Sequence, residues 1–484
     1  MASNTPILKV IGHCQVSPPS GTVAQNYMPL TFFDLLWLDF SPFSRLLFYH
    51  LNISLTDFTQ IHVPSLKNSL SLALQHYFPL AGNLLIPTTC DHDSASVAKP
   101  SIRYLDGDSV SFTVAEYDAD FIRLTGNQSR DFNDLSCLAP QLPPAIKERL
   151  LDDGCEVQVS PVLAIQVTCC PGQGICIGFT SSHAVADGST IFNFIRAWGL
   201  ISKSTMNISD DAPSMMLKNS QLFSLPFYDR SVIEDPKNLA GTYLSQMGEN
   251  YSSQTSPTLA PPPAPAKKVR ATFVLNQSDI EALKKLVSTK LPRLSHISSF
   301  TVACGYTWSC LAKTQKAIDS NEEDEEEHLI VAVNCRARLD PPVSETYFGN
   351  CLTICFITTK NSELIGEENE GLIKAAELIG QSIHKKMNED GILKGAEMWY
   401  EEFKEVKTKW KRERITGIAG SPKFYFYNID FGWGNPKKYE FVSEKLSISG
   451  CKDAQGDIEF GLCLTENEMM GFSAIFGEGL HNLD

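Results

Sequence analysis

Two α/β halves of similar size, meeting at a functional cleft, are the architecture this sequence predicts. Three observations carry that expectation. Both halves alternate amphipathic helical stripes with short apolar runs of strand length. The stretch Ser256 to Lys268 has five prolines in nine residues, Pro257 to Pro265, and reads as a stiff, extended crossover. At 484 residues the chain is too long for one ordinary core of about 100–200 residues. An N-terminal domain at 1–240, a linker at 241–268 and a C-terminal domain at 269–484 follow, with the site expected at their interface.

In the first half, Leu66, Leu70, Ala73, Leu74 and Tyr77 share one helical face, and Pro79 stops that helix. Val162–Cys170 and Ile175–Thr180 flank Pro171-Gly-Gln-Gly174 and read as a hairpin with a tight turn. Ile191, Phe194, Ile195 and Trp198 mark a buried helix. Between hairpin and helix lies Ser181-Ser-His-Ala-Val-Ala-Asp-Gly188. Gly241–Ser256 is polar and weakly periodic, a surface approach to the linker.

In the second half, Arg270–Leu275 is a short strand, and Ser278-Asp-Ile-Glu281 reads as a capping box opening a helix to Val287. Phe300–Leu311 is a buried helix; Leu329–Cys335 and Leu352–Thr358 are buried strands. Leu372, Ala375, Ala376, Ile379 and Ile383 line another helix. Phe460–Leu464 is a strand, and Thr465-x-x-Glu468 caps a last helix carrying Met469, Phe472 and Phe476. Asp319–Glu327, with seven acidic residues in nine, reads as a solvated loop without a function.

Composition narrows the partners. Hydrophobic residues at 43% and charged residues at 20% describe an ordinary globular chain. A net charge of −15 argues against a sequence-blind nucleic-acid binder and against an acidic membrane surface, since both need a Lys/Arg surplus. A small polyanion remains compatible through a local basic patch. The most apolar stretch, Pro29–Tyr49, is broken by Asp34, Asp39, Pro42 and Arg45, so no membrane span is expected. Met1–Gln15 lacks the order of a secretory leader, and the 14 cysteines contain no C-x-x-C pair. Free thiols in a reducing, cytoplasmic setting are the expectation.

His183 is the sharpest chemical candidate. It follows a buried strand and precedes a helix, where a neutral imidazole can face a cleft and take a proton from a hydroxyl. A hydrogen-bonded core histidine fits the spacing equally well. Asp187 could orient His183 or turn away to pair with a cation and brace the loop; Gly188, read as a tight bend, favours bracing. Metal binding lacks a third ligand or any Cys/His cluster, so no metal site is expected. No G-x-S-x-G elbow, P-loop or G-x-G-x-x-G occurs. Asp430-Phe-Gly-Trp-Gly434 reads as a constrained structural turn rather than a catalytic one. Arg336 and Arg338, in Asn334-Cys-Arg-Ala-Arg338, are natural partners for a buried aspartate or ordinary surface arginines.

Taken together, these residues resemble the plant BAHD acyltransferases. His183-Ala-Val-Ala-Asp187-Gly188 matches the family's HxxxD motif and Asp430–Gly434 its DFGWG motif; Phe78-Pro-Leu-Ala-Gly-Asn83 matches its first-domain pattern. Tyr347-Phe-Gly-Asn-Cys351, Gly420-Ser-Pro-Lys423 and Thr31-Phe-Phe-Asp34 resemble the branch that acylates anthocyanins and other phenolic glycosides. The resemblance implies two chloramphenicol-acetyltransferase-like α/β domains with a solvent channel at their interface. It also implies transfer from malonyl-CoA or hydroxycinnamoyl-CoA to a sugar hydroxyl, with acyl-CoA as co-substrate, no permanently bound cofactor and a monomeric chain.

It makes His183 the general base, Asp187 structural with Arg336 as partner, and Gly188, Asp430, Gly432, Trp433 and Gly434 structural. Ser182 and Asn334 depart from the commoner His and Asp of relatives, and Ser189-Thr190 offer no cation for a malonyl carboxylate. Ser421 is nominated for the oxyanion or acyl pocket, Ser298 and Ser299 for pantetheine, and Trp37 for the acceptor pocket. Lys267, Lys268 and Arg270 are nominated for CoA phosphates, although solvated lysines beside a linker explain them as well. A CoA thioesterase or deacylase, or a silent ligand-binding protein on the same scaffold, are the rival readings.

Overall fold

A computed structural model describes residues 6–89, 99–149, 156–206, 223–247, 267–294, 297–318, 324–389, 391–442 and 445–483. The Pro-rich crossover therefore lies outside the described residues. Among those described, three sheets organise the chain. The first has six strands, in spatial order Leu8–Val16, Val110–Tyr117, Leu163–Cys170, Gly174–Ser181, Phe43–His50 and Lys438–Phe441. The second has seven, in the order Leu352–Lys360, Glu326–Asn334, Ile415–Ser421, Leu446–Gly450, Ile458–Thr465, Lys268–Leu275 and Arg130–Asp131. A smaller five-stranded sheet includes Asn83–Thr89 and Glu156–Pro161.

The hairpin runs in register from Leu163 opposite Ser181 to Cys170 opposite Gly174. Every residue of both strands is buried, because helices or loops cover each face, and so the sequence shows an apolar run instead of alternation. Helix α1 (Val63–His76) buries Leu66, Leu70, Ala73 and Leu74. Helix α2 (Gly188–Met206) packs on it, and Trp198 Nε1 donates to Leu66 O at 3.3 Å and to Ser69 Oγ at 3.1 Å. That tie fixes the position of α2, whose first turn lies at the candidate site.

The two halves are interlocked. Lys438–Phe441 leaves the second half to pair antiparallel with Phe43–His50, placing Phe441 opposite Arg45. Arg130–Asp131 crosses the other way and adds an edge to Lys268–Leu275. At this crossing the buried Glu440 carboxylate accepts from Arg130 Nη2 at 2.5 Å and from Arg270 Nε at 2.6 Å. Burial opposes its charge, but the two guanidiniums prevail and hold its pKa down to about 2.

Several local expectations need correction. Helix α3 (Gln277–Lys290) starts before Ser278, because Asn276 and Asp279 form the capping box with reciprocal 2.9 Å bonds. Helix α4 (Ser299–Ile318) outruns Leu311, since its buried face continues through Thr314. The approach to the linker begins as a helix, Leu239–Met247, with Leu239, Tyr243 and Met247 buried at helical spacing and Asp235 accepting from Leu239 N and Ala240 N.

The acidic run is not all solvated loop. Residues 319–323 lie outside the described residues, but Glu326 and Glu327 open a strand. Glu327 is buried, accepting from Arg414 Nη1 at 2.7 Å and Asn361 Nδ2 at 2.9 Å. Glu325 accepts from Arg414 Nε at 2.7 Å. A cation supplied from distant sequence draws these carboxylates inward. Helices α5 (Glu370–His384) and α6 (Glu466–His481) complete the second half, the latter capped by Thr465 and Glu468. No helix among the described residues is long and apolar enough to cross a membrane.

Replacing Glu440 with Gln keeps the shape but removes the carboxylate that two buried guanidiniums share. Stability at neutral pH should fall by about 3 kcal/mol, read from chemical denaturation. A carboxyl with a depressed folded pKa contributes fully above its ordinary range, near pH 4.3, and loses that contribution as pH falls through its folded value. The gap between wild type and Glu440→Gln should therefore narrow as pH drops toward 2.

Candidate active site

A cavity of about 2240 Å³ opens between the halves. Trp37, Phe43, Arg45 and His183 line it from the first half; Ser298, Ser299 and Ser421 line it from the second. Typical small-molecule pockets are roughly 300–1,000 Å³, so this volume accommodates two substrates together.

The Gly174–Ser181 strand delivers His183 to the cavity wall as it ends. Ser182 N still bonds Val162 O at 2.9 Å, and His183 comes next, partly exposed. Trp37 stacks flat on the imidazole, with centroids 3.8 Å apart at 11°. The Phe43 ring meets it edge-on at 5.2 Å. These apolar walls strip water from the ring, and burial pushes the imidazole pKa down to about 4. His183 is thus a neutral base at physiological pH. Asp187 and the Asn350 side chain act in the opposite direction, while Arg45 adds to the depression.

Asp187 turns away from that ring. Its Oδ1 accepts from Thr190 N at 3.0 Å, which caps α2. Its Oδ2 accepts from Arg336 Nη1 at 2.7 Å and from Cys351 N at 3.3 Å. Both ion-pair partners are fully buried. Arg336 Nη2 donates to the carbonyls of Tyr347 at 3.1 Å and Gly349 at 2.9 Å, and Asn334 Oδ1 accepts from Arg336 N at 3.0 Å. Asn334 thus supplies an acceptor without adding a second carboxylate. Arg338 lines the cavity and has no part in this pair.

Gly188 corrects its sequence reading. Its φ is not left-handed; a Cβ there would sit 2.8 Å from Phe424 Cε2, so it is space that requires glycine.

Two further motifs meet behind His183, and sequence reasoning gave their residues no role at the site. Asp34 Oδ1 accepts from Asn350 N at 2.9 Å and Asn350 Nδ2 at 3.0 Å, and the same Nδ2 donates to His183 O at 2.9 Å. Arg230 Nη1 bonds Asp34 Oδ2 at 3.0 Å and the Tyr347 hydroxyl at 2.9 Å. Asn350 Oδ1 and His183 Nδ1 are both buried without a hydrogen-bond partner. The available signal was the Thr31-x-x-Asp34 capping box, which the structure contains, but nothing in the sequence says that Asp34 also reaches Asn350.

The Asp430–Gly434 loop packs elsewhere. Asp430 Oδ1 accepts from Gly432 N at 2.7 Å and Gly434 N at 2.8 Å, and both glycines adopt positive φ, 102° and 84°. Phe431 packs edge-on against Trp198, and Trp433 Nε1 donates to His62 Nδ1 at 3.1 Å. The loop clamps α2 from the side away from the cavity, whose lining does not include it.

The remaining nominations separate. Ser298 Oγ caps α4, accepting from Thr301 N at 3.1 Å, and Ser421 Oγ accepts from Lys423 N at 3.2 Å. Lys268 lines the cavity; Lys267 points to Glu466 at 3.0 Å. Arg270 is withdrawn as a phosphate contact, because it is fully buried on Glu440. Arg45 was missed, although a lone cation inside the apolar run Phe43–Tyr49 was the signal.

Comparison with known proteins agrees along the chain. A family model described as Transferase family matches residues 9–478. A malonyl-coenzyme A:anthocyanin 3-O-glucoside-6''-O-malonyltransferase of Dahlia pinnata is 42% identical, with 99% of each chain covered. Phenolic glucoside malonyltransferase 1 of Nicotiana tabacum is 41% identical over 90% of this chain and 89% of its own. Among solved structures, vinorine synthase aligns with a TM-score of 0.62 at 19% identity, covering 96% of each chain, which supports the fold.

The Asp187–Arg336 pair gives a direct test. Arg336→Met strands a buried carboxylate and should cost about 3–5 kcal/mol of stability, whereas Asp187→Asn should lower stability or soluble yield while retaining the Thr190 cap. A double-mutant cycle by chemical denaturation should show strong coupling between the two positions.

Proposed function

This chain belongs to the BAHD acyltransferases, the Transferase family, and from that premise we propose that it acylates phenolic, flavonoid or anthocyanin glycosides. The donor is acyl-CoA, with malonyl favoured, and the acceptor is a sugar hydroxyl. The observation that carries the reading is a neutral, partly exposed His183 on the wall of a cavity large enough for donor and acceptor together.

In this reading Nε2 of His183 is the base, with the Asn350 side chain beside the ring favouring its protonated form. Nε2 takes the proton of the sugar hydroxyl as its oxygen attacks the thioester carbonyl. The tetrahedral intermediate collapses, the C–S bond breaks, and the imidazolium returns its proton to CoA thiolate. Direct attack suffices, and no acyl-enzyme is needed. Ser421 serves the oxyanion or acyl pocket, Ser298 and Ser299 lie along the pantetheine path, and Lys268 is available to the CoA phosphates. Trp37, already stacked on the base, forms part of the acceptor surface.

Hydroxycinnamoyl-CoA is the second donor reading, favoured by the Phe424 ring stacked on Phe192 at 5.6 Å beside the cavity. A monomer with no resident cofactor completes the proposal, in a reducing, cytoplasmic setting that the free thiols among the described cysteines support.

His183→Ala should lower kcat/KM by about 10²- to 10⁴-fold with malonyl-CoA and an anthocyanin or phenolic glucoside, while its circular dichroism stays native. Retained activity would remove His183 from the base role. CoA release at the same rate without acceptor would indicate a thioesterase, and binding without turnover a silent binder. The acid limb of kcat/KM should lie near pH 4, well below an ordinary imidazole at about 6.5, because protonation of His183 is opposed by burial.

A further inference from the structure

Arg45 is a buried cation with no ion-pair partner among the described residues, though Asp187 attracts it at longer range. It sits mid-strand, opposite Phe179 on one side and Phe441 on the other, and is 3% exposed. Its Nε and Nη1 are buried without a hydrogen-bond partner, and no carboxylate among the described residues pairs with it. Its surroundings are the faces of Phe43, Phe426 and Phe441, with centroids 5.0, 5.3 and 4.8 Å from Cζ. Cation–π contacts of this kind return less than the cost of holding a guanidinium out of water with Nε and Nη1 idle. The other buried arginines at the site and at the crossing, Arg336, Arg230 and Arg270, each have an aspartate or glutamate.

Its location narrows the kind of anion it can receive. Arg45 lines the same cavity as His183, and Phe43 touches both the guanidinium and the imidazole. Nη2 is 3.7 Å from the position a Cβ on Gly188 would take, one residue past the Asp187 brace. An anion there belongs beside the reacting carbonyl. The phosphates of CoA are excluded, because the pantetheine arm holds them far from the thioester. In a malonyl thioester, by contrast, a single methylene separates the carboxylate from the thioester carbonyl.

We infer that Arg45 anchors the free carboxylate of a dicarboxylic acyl donor of the malonyl type, and so sets donor choice. The inference rests on the acyl-transfer reading above and supplies the cation that Ser189-Thr190 lack. Nε and Nη1 are sealed from solvent, so Nη2, on the Gly188 side, is the donor left to meet a carboxylate, and a neutral acyl group gains nothing from its charge.

The test compares malonyl-CoA with acetoacetyl-CoA, its neutral near-isostere, on the full chain. Calorimetric binding without acceptor is paired with kcat/KM in its presence. The wild type should prefer malonyl-CoA. Arg45→Met should reduce that preference on the order of 10- to 100-fold, and Arg45→Lys by less. Equal losses on both donors would assign Arg45 to the oxyanion or to packing and overturn the inference. A wild-type preference near unity would overturn it without any variant, so a poorly folding Arg45→Met decides nothing against it. Absence of product with every donor would overturn acyl transfer itself, while the binding ratio would still judge Arg45.

Discussion

The Asp187–Arg336 pair is the constraint on which the site depends. It joins a loop of the first half to a short turn of the second, entirely out of water. A buried ion pair is a poor source of net stability, since desolvation consumes most of its attraction. Its value is positional. With Asp187 committed to Arg336, Thr190 and Cys351, the loop has one conformation, and His183, four residues earlier, inherits it. The same carboxylate is denied to the imidazole as a partner, so His183 is shaped by Trp37 and Asn350 instead.

Around that pair, charge is placed with unequal care. Glu440 between Arg130 and Arg270, Asp34 beneath Arg230, and Glu327 against Arg414 are all satisfied within the protein. These buried groups bring three carboxylates and four guanidiniums, so the net charge of −15 sits on the outer surface and says little about the cavity. Several carboxylates are internal structural parts, and the cavity lining mixes cations such as Arg45, Lys268 and Arg338 with carboxylates such as Glu345 and Asp457.

Much of this was legible in the sequence because it is local. The strands of the hairpin, the stripe of α2, the capping box of α6 and the Asp430 loop each follow from spacing within about twenty residues. What escaped was long-range. Nothing near Asn350 announces that it bonds the backbone of His183, 167 residues away. Nothing near Glu327 announces Arg414, so an acidic run looked solvated when part of it is core. Arg270 looked free beside a lysine pair until Glu440 arrived from the far end of the chain. Gly188 looked like a bend, and is instead a gap kept for Phe424.

The exchanged strands have a mechanical consequence. Lys438–Phe441 completes the sheet of the first half, and Arg130–Asp131 extends that of the second. To part the halves would mean tearing ladder hydrogen bonds at both sites and exposing Glu440 with its two arginines. The molecule is therefore latched shut, and its interior cannot work like a jaw that opens for cargo and closes on it. Substrates must enter a cavity whose two sides are tied together, and discrimination falls to the chemistry of the walls rather than to the travel of a hinge.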